Sequence, residues 1–339
     1  MKWLYTIIRK IIPAQWHGFM TTLIYGFRIK PSVNRTIKSP FNKGTIILSA
    51  DFEMAWAFRY SKTKRTQAQQ MGIRERENIP ELIALFEKYR IPVTWATVGH
   101  LFLNSCIRVK GSDPHPEMLR PGYFENSNWQ FKIGDWYQQD PCSNYKDSPA
   151  WYAPDLIDLI ISSNVNHEIG CHTFSHCDFS NKNCTPELAR AELKKCKELA
   201  KLKGIELKSM VFPGGTFGNY EILKEQNFTC YRFKMCNHID LPFIDRNGLV
   251  AIPSSLGLDK GKNNWSASYH LKIIDRFLEK TKNSRQVCHF WFHPSMASWY
   301  IYNVFPFVLE KINNYRLKGD IEVLTMGELA NKFRNIVND

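Results

Sequence analysis

Residues 45–56 read TIILSADFEMAW: an uncharged, largely apolar run, Thr45–Ala50, passes directly into two carboxylates, Asp51 and Glu53. A short apolar run of this kind reads as a strand buried on both faces. In parallel α/β folds the C-terminal ends of strands gather reacting groups, so two carboxylates two residues apart can serve one site if the chain leaves its extended path there. A pair of solvated loop acids is the alternative, and these two residues alone do not choose.

Outward from this strand, apolar runs alternate with amphipathic stretches. The pattern predicts a helix at Pro80–Tyr89, with Pro in its first turn, feeding a strand at Pro92–Val98. It repeats as helix Pro154–Ser162, a strand near Glu168–Cys171, and helix Pro186–Lys203, capped by Thr185 and stopped by Gly204. Strands follow at Lys208–Phe212, Thr229–Phe233, Leu249–Ile252, Gln286–Phe292 and Ile321–Leu324, with helices near Ser268–Lys280 and Val304–Leu317. Thr325-x-x-Glu328 is a capping box for a last helix. Strands separated by helices suit either a barrel or an open doubly wound sheet, and periodicity does not decide between them. Asn104–Ala150 breaks the rhythm, which marks a lid or binding loop.

The composition, 44% hydrophobic and 23% charged over 339 residues, excludes wholesale disorder. Net charge is +13, yet residues 1–50 hold eight basic side chains and no acid, leaving 37 basic against 32 acidic elsewhere. The near-neutral body, without any RNP, zinc-finger or helix-turn-helix signature, gives no expectation of nucleic-acid binding. The leader, residues 1–43, mixes Trp3, Leu4, Ile7, Ile8, Ile11 and Ile12 with Arg9 and Lys10. It predicts peripheral contact with an anionic membrane, with an ordinary packing helix as the alternative. With no membrane-spanning run and no secretory signal, the expected location is the cytoplasm, at the inner face of the membrane. Nine scattered cysteines, with no CxxC pair, fit reduced thiols and argue against a zinc ribbon.

Three further groups can do chemistry. His172 and His176, in HEIGCHTFSH at 167–176, are four apart, so on one helical face they can grip a divalent metal. His293 ends the buried-strand run HFWFHP, where a satisfied structural histidine is the alternative; His289, deeper on the same face, reads as core. In VFPGGTFG at 211–218, Gly214 and Gly215 let backbone N–H groups approach a developing oxyanion, unless the loop is an ordinary β-α turn.

Taken in order, these groups resemble the polysaccharide deacetylases of carbohydrate esterase family four, the nodulation-deacetylase homology domain. Asp51-Phe52-Glu53 matches the Asp-x-Glu branch, IPVTWATVG at 91–99 is similar to the family's strand ending in Phe-x-x-Gly, and FHP at 292–294 is similar to the late histidine motif. The resemblance implies a distorted (β/α) barrel of about seven strands, spanning 44–339 after the 1–43 leader and carrying a long insertion at about 104–150. It implies that Glu53, His172 and His176 hold a divalent metal ion, Zn2+ being the first choice, with Asp51 as general base and His293 as general acid. The implied activity is removal of an N-acetyl group from a sugar of a surface polysaccharide or its precursor. Alternatives are an imidase- or ureide-type amidohydrolase of the same fold and, more remotely, a non-enzymatic basic binding protein.

The sequence departs from the family in lacking an arginine beside the glycines; either Arg59, Arg74, Arg76 or Arg232 orients Asp51 from elsewhere, or the site is altered. The insert supplies Tyr123, Phe124, Trp129, Trp136, Tyr137, Trp151 and Tyr152, which suit either a lid over a sugar chain or packing of the insert onto the barrel.

Overall fold

The strand expected at Thr45–Ala50 runs over Gly44–Phe52 (β1) and is buried along its whole length. The computed structural model describes residue 11 and residues 31–234, 237–259 and 266–338. Nine further strands join β1 in one ten-stranded sheet: Thr94–Thr97 (β2), Glu168–Cys171 (β3), Ser209–Met210 (β4), Cys230–Phe233 (β5), Phe243–Ile244 (β6), Val250–Pro253 (β7), Leu256–Gly257 (β8), Val287–Phe292 (β9) and Ile321–Leu324 (β10). Every pairing is parallel except β6 against β7. The order runs β6-β7-β5-β4-β3-β2-β1-β9-β8, with β10 beside the first half of β1.

The stretch 250–257 settles barrel against open sheet. Its first half, β7, pairs with β5, and its second half, β8, pairs with β9, so one length of chain bridges the two ends of the curl. The Ser255 N–H donates to the His289 carbonyl at 2.8 Å across that seam. Seven strand positions therefore close a distorted (β/α) barrel, and parallel pairing sends their C-terminal ends to one rim, where function gathers in such folds.

Helices cover the outside: Ala68–Tyr89 (α1), Pro154–Ile161 (α2), Pro186–Leu202 (α3), Tyr220–Glu225 (α4), Ala267–Ser284 (α5), Ser298–Asn303 (α6), Phe305–Leu317 (α7) and Met326–Asn338 (α8). Thr185 caps α3 through its hydroxyl, which accepts from Leu188 N–H at 3.3 Å. The capping box forms reciprocally, Thr325 N–H to Glu328 at 2.8 Å and Glu328 N–H to the Thr325 hydroxyl at 3.2 Å.

One expectation needs correction. Helix α1 begins at Ala68, and Pro80 lies inside it, not in its first turn. The extra turns bury Glu75 and Asn78 beside Met71 and Gly72, so polar residues stand where periodicity looks for apolar ones. Most of the insert's aromatics are packing residues: Phe124, Trp129, Trp136, Tyr137 and Tyr152 are buried and only Tyr123 among the seven is exposed. The insert's strands are a short hairpin of Phe124–Glu125 and Gln130–Phe131.

The predicted membrane contact of residues 1–43 falls largely on residues outside the described ones. Where the leader is described it belongs to the barrel: Ser32–Val33 pairs with His238–Ile239, and buried Phe41 meets Phe333 of α8. Among the described residues no helix is long and apolar enough to cross a membrane.

Candidate active site and metal centre

The chain leaves its extended path directly after β1. Glu53 has ψ −19°, and Met54 takes φ 48°, a left-handed value that costs energy for a residue with a side chain. This bend lets Asp51, inside the strand, and Glu53, just past it, face the same rim. After β3, Thr173 at φ 59° and His176 at φ 54° curl the backbone in the same way. The histidines four apart thus lie on a loop, not on a helical face as their spacing suggests, because β3 ends at Cys171 and no helical turn follows.

Ser175 locks that loop. Its N–H and hydroxyl donate to Glu192 of α3 at 2.8 and 2.7 Å, its hydroxyl accepts from Trp136 Nε1 at 2.8 Å, and its carbonyl accepts from Arg59 at 2.7 Å. Arg59, another of the four candidate arginines, is committed to this support, buried over the Trp56, Tyr60 and Trp136 rings at 4.6, 5.0 and 4.3 Å. Trp129 from the insert meets His176 edge to face, with centroids 5.1 Å apart.

The donor atoms converge on Glu53. Its Oε2 lies 3.2 Å from His172 Nε2 and 3.0 Å from His176 Nε2. His172 Nδ1 is 2.8 Å from the Val211 carbonyl, which can only accept, so Nδ1 carries a proton and Nε2 is the nitrogen turned to Glu53. Burial holds His176 down to about 4, keeping it neutral. Burial alone would raise Glu53, but His293, His172 and His176 hold it well below the usual carboxylate range. Two imidazole nitrogens and a carboxylate oxygen within 4.8 Å of one another fit a divalent ion, and three protein ligands leave room for water or substrate.

The arginine that reaches Asp51 is Arg232, on β5. Nη1 donates to Oδ1 at 2.6 Å and Nη2 to Oδ2 at 2.7 Å, a bidentate fork that overcomes the upward push of burial and, with His172 and His293, holds Asp51 below its ordinary value. Arg232 also donates to Ser49 at 3.0 Å and stands 5.0 Å over Trp291. Ser49 in turn lies 2.8 Å from Nε2 of fully buried His289, the residue read as core. His293 follows β9 with Nε2 3.4 Å from Glu53 Oε1 and 3.9 Å from Asp51 Oδ2, its side chain 40% exposed. Gly214 and Gly215 take φ 57° and 69° in the turn after β4; the Gly215 N–H is spent on the Phe212 carbonyl at 3.1 Å, and Gly214 lies against the Trp129 ring.

One residue escaped the sequence reading altogether. Glu75, buried in α1, accepts from the Glu53 N–H at 2.9 Å, while its other oxygen has no partner. Burial first, and the charge of Glu53 second, push its carboxyl well above the usual range, which favours the neutral acid, and it holds the backbone of Glu53. Its only sequence signal is an acid in the apolar stripe of a helix.

A parallel barrel with carboxylates and histidines collected at one rim is an arrangement suited to metal-assisted hydrolysis. The polysaccharide deacetylase family model matches residues 70–232, in agreement with the resemblance read in the sequence, and supports an enzyme that hydrolyses N-acetyl amides. The match contains His172 and His176 and ends on Arg232; Asp51, Glu53 and His293 lie outside it. Among solved structures, a Mycobacterium smegmatis protein assigned to the polysaccharide deacetylases is similar at TM-score 0.58 and 13% identity, covering 90% of this chain and 96% of that one. A Pseudomonas aeruginosa protein with the same assignment is similar at 0.51 and 12%, covering 86% and 90%. An allantoinase is similar at 0.52 and 12%, covering 85% and 88%. At such identities the likeness is one of fold. No curated protein matches the chain in sequence.

Proposed function

We propose that this protein is a divalent-metal-dependent deacetylase that removes the N-acetyl group from a sugar of a surface polysaccharide or its precursor. The observation that carries the reading is Glu53 Oε2 set between two imidazole Nε2 atoms, one on a ring oriented through its Nδ1 by the Val211 carbonyl. Glu53, His172 and His176 would hold the ion, zinc being our first choice for this donor set. Bound there, such an ion lowers the pKa of a water and polarises an amide carbonyl.

The rest is done by the chain's own side chains. Asp51, ionised and oriented by Arg232, takes the proton of the attacking water. His293 has its Nε2 beside both carboxylates and its ring partly open to solvent, which suits delivery of a proton to the departing amine. For the developing oxyanion the Gly214 N–H is the better of the two glycine donors, because that of Gly215 is already bonded. The eight described cysteines are all free, six of them buried, which supports a reducing, cytosolic site of action.

Hydrolysis of a cyclic imide or ureide is the second reading, favoured by the fold likeness to an allantoinase. Mass spectrometry on N-acetylated nucleotide sugars, lipid-linked sugars and oligosaccharides, with cyclic ureides alongside, separates the two. Deacetylation removes an acetyl mass and frees acetate, whereas ring opening adds a water; turnover of ureides alone refutes the deacetylase reading.

A further inference from the structure

A second group of donors converges on the insert side of the barrel. His100, in the turn after β2, is fully buried, and His115 and Asp140 of the insert are nearly so; Cys106 is half-buried beside them. His100 Nε2 lies 3.1 Å from His115 Nε2 and 2.8 Å from Asp140 Oδ2, His115 Nε2 lies 2.7 Å from the same oxygen, and Cys106 Sγ lies 3.3 Å from it. One donor atom from each residue falls within 4.8 Å of the others. A tetrahedral zinc with bonds of ~2.0–2.3 Å has ligand–ligand edges of roughly 3.3–3.7 Å, so these contacts need only a slight expansion to admit an ion.

The hydrogen bonding around the group points the same way. The second oxygen of Asp140 is already engaged, accepting from Tyr152 OH at 2.7 Å and Cys142 N–H at 2.9 Å. His100 Nδ1 faces the Trp151 carbonyl at 3.4 Å, and His115 Nδ1 faces Glu117 Oε1 at 3.6 Å. Both outward neighbours are acceptors, so each ring can place a proton on Nδ1 and turn Nε2, which already faces the shared Asp140 oxygen, to an ion. Metal-bound imidazoles are arranged in this way, the far nitrogen oriented by a carbonyl or carboxylate. The backbone is held to match: His115 takes φ 51°, and Arg120 donates to its carbonyl at 2.6 Å and to Asp135 at 2.8 Å.

We infer that His100, Cys106, His115 and Asp140 form a second metal site, structural in kind, that takes zinc or a similar tetrahedral divalent ion and ties the insert to the barrel. The thiolate and carboxylate offset the charge of the ion, and the sulfur selects zinc over magnesium, calcium or manganese. Four protein ligands complete a tetrahedron and leave no position for a reacting water, in contrast to the three at Glu53. Such an ion supplies the anchoring that the insert, with one two-residue-stranded hairpin, lacks in regular structure.

Only this second site contains sulfur, which makes it separately visible. The full chain is stripped with chelator, reconstituted with Co2+, and its absorption read. The expected result is two bound equivalents and a near-ultraviolet thiolate-to-cobalt charge-transfer band that persists in His172→Ala and is lost in Cys106→Ser, which binds one equivalent fewer. A folded, reconstituted wild-type chain without that band, or a band that survives Cys106→Ser, overturns the inference. Should Cys106→Ser fail to fold, X-ray absorption of the wild-type zinc protein decides: one sulfur at about 2.3 Å per two zinc ions is expected, and no sulfur overturns the site.

Discussion

Arg232 on β5 grips both oxygens of Asp51 on β1, at 2.6 and 2.7 Å, across the interior of the barrel. The two residues are 181 positions apart in sequence, and the pair fixes both the direction and the charge of the proposed base. Replacing Arg232 by Gln removes the fork and one positive charge. We expect kcat to fall roughly 10²-fold, the scale for a misplaced catalytic group, with little change in KM. Since Arg232 holds Asp51 low, its loss lets the Asp51 pKa rise. The acid limb of the kcat/KM profile should then move to higher pH, because the base works only when ionised. An unmoved acid limb, measured across buffers of constant ionic strength, would show that Asp51 is not the group that titrates.

Glu75 gives a sharper contrast. With its carboxyl pushed toward the neutral form and accepting from the Glu53 N–H, it should be replaceable by Gln with activity and thermal stability close to wild type. Glu75→Ala leaves that buried N–H without its partner and opens a void, at a cost of about 1–3 kcal/mol together with lower activity from a displaced Glu53. Thermal unfolding and acetate release on the two variants test this. Equal damage from Gln and Ala would mean that Glu75 acts as a carboxylate.

Trp129 covers His176 edge-on and presses on Gly214 from the insert side. Trp129→Ala should loosen the support of His176 and weaken metal affinity by roughly 10–100-fold, the range for groups that support metal ligands. Competition with a calibrated chelator measures it; unchanged affinity contradicts the supporting role. Deleting residues 110–147, which would isolate a mere lid, should instead destabilise the whole chain, since it removes buried Trp136 and Tyr137 and two donors of the second cluster. A truncated protein with wild-type melting would restore the lid.

Much of this was legible in sequence because strands ending in acids or histidines declare both a buried element and a rim. Asp51, Glu53, His172, His176 and His293 each stand at such an end, and the structure brings them together. Arg232 stayed one of four arginines because its role depends on β5 lying across the barrel from β1, a relation no local pattern encodes. The first turns of α1 were hidden because Glu75 and Asn78 occupy its buried face, one bonding the Glu53 backbone and the other the carbonyls of Pro294 and Met296. The second cluster was illegible for a similar reason. Its spacing, His100-x5-Cys106-x8-His115-x24-Asp140, matches no compact zinc motif and is assembled only when the insert folds back on the turn after β2. Closure of the barrel hung on Ser254–Ser255, where one extended stretch changes neighbours without a break that periodicity would register.

The central claim is that Glu53, His172 and His176 hold the ion that makes this barrel a deacetylase. The most direct measurement is acetate release from an N-acetylated oligosaccharide or nucleotide sugar by wild type, His172→Ala and Asp51→Asn, each assayed for bound metal before and after chelation. The account predicts that chelation abolishes release and added divalent metal restores it. It also predicts that His172→Ala loses one metal equivalent along with activity, and that Asp51→Asn keeps its metal while losing activity by several orders of magnitude. Full activity in the chelated wild type, or in His172→Ala, would contradict it.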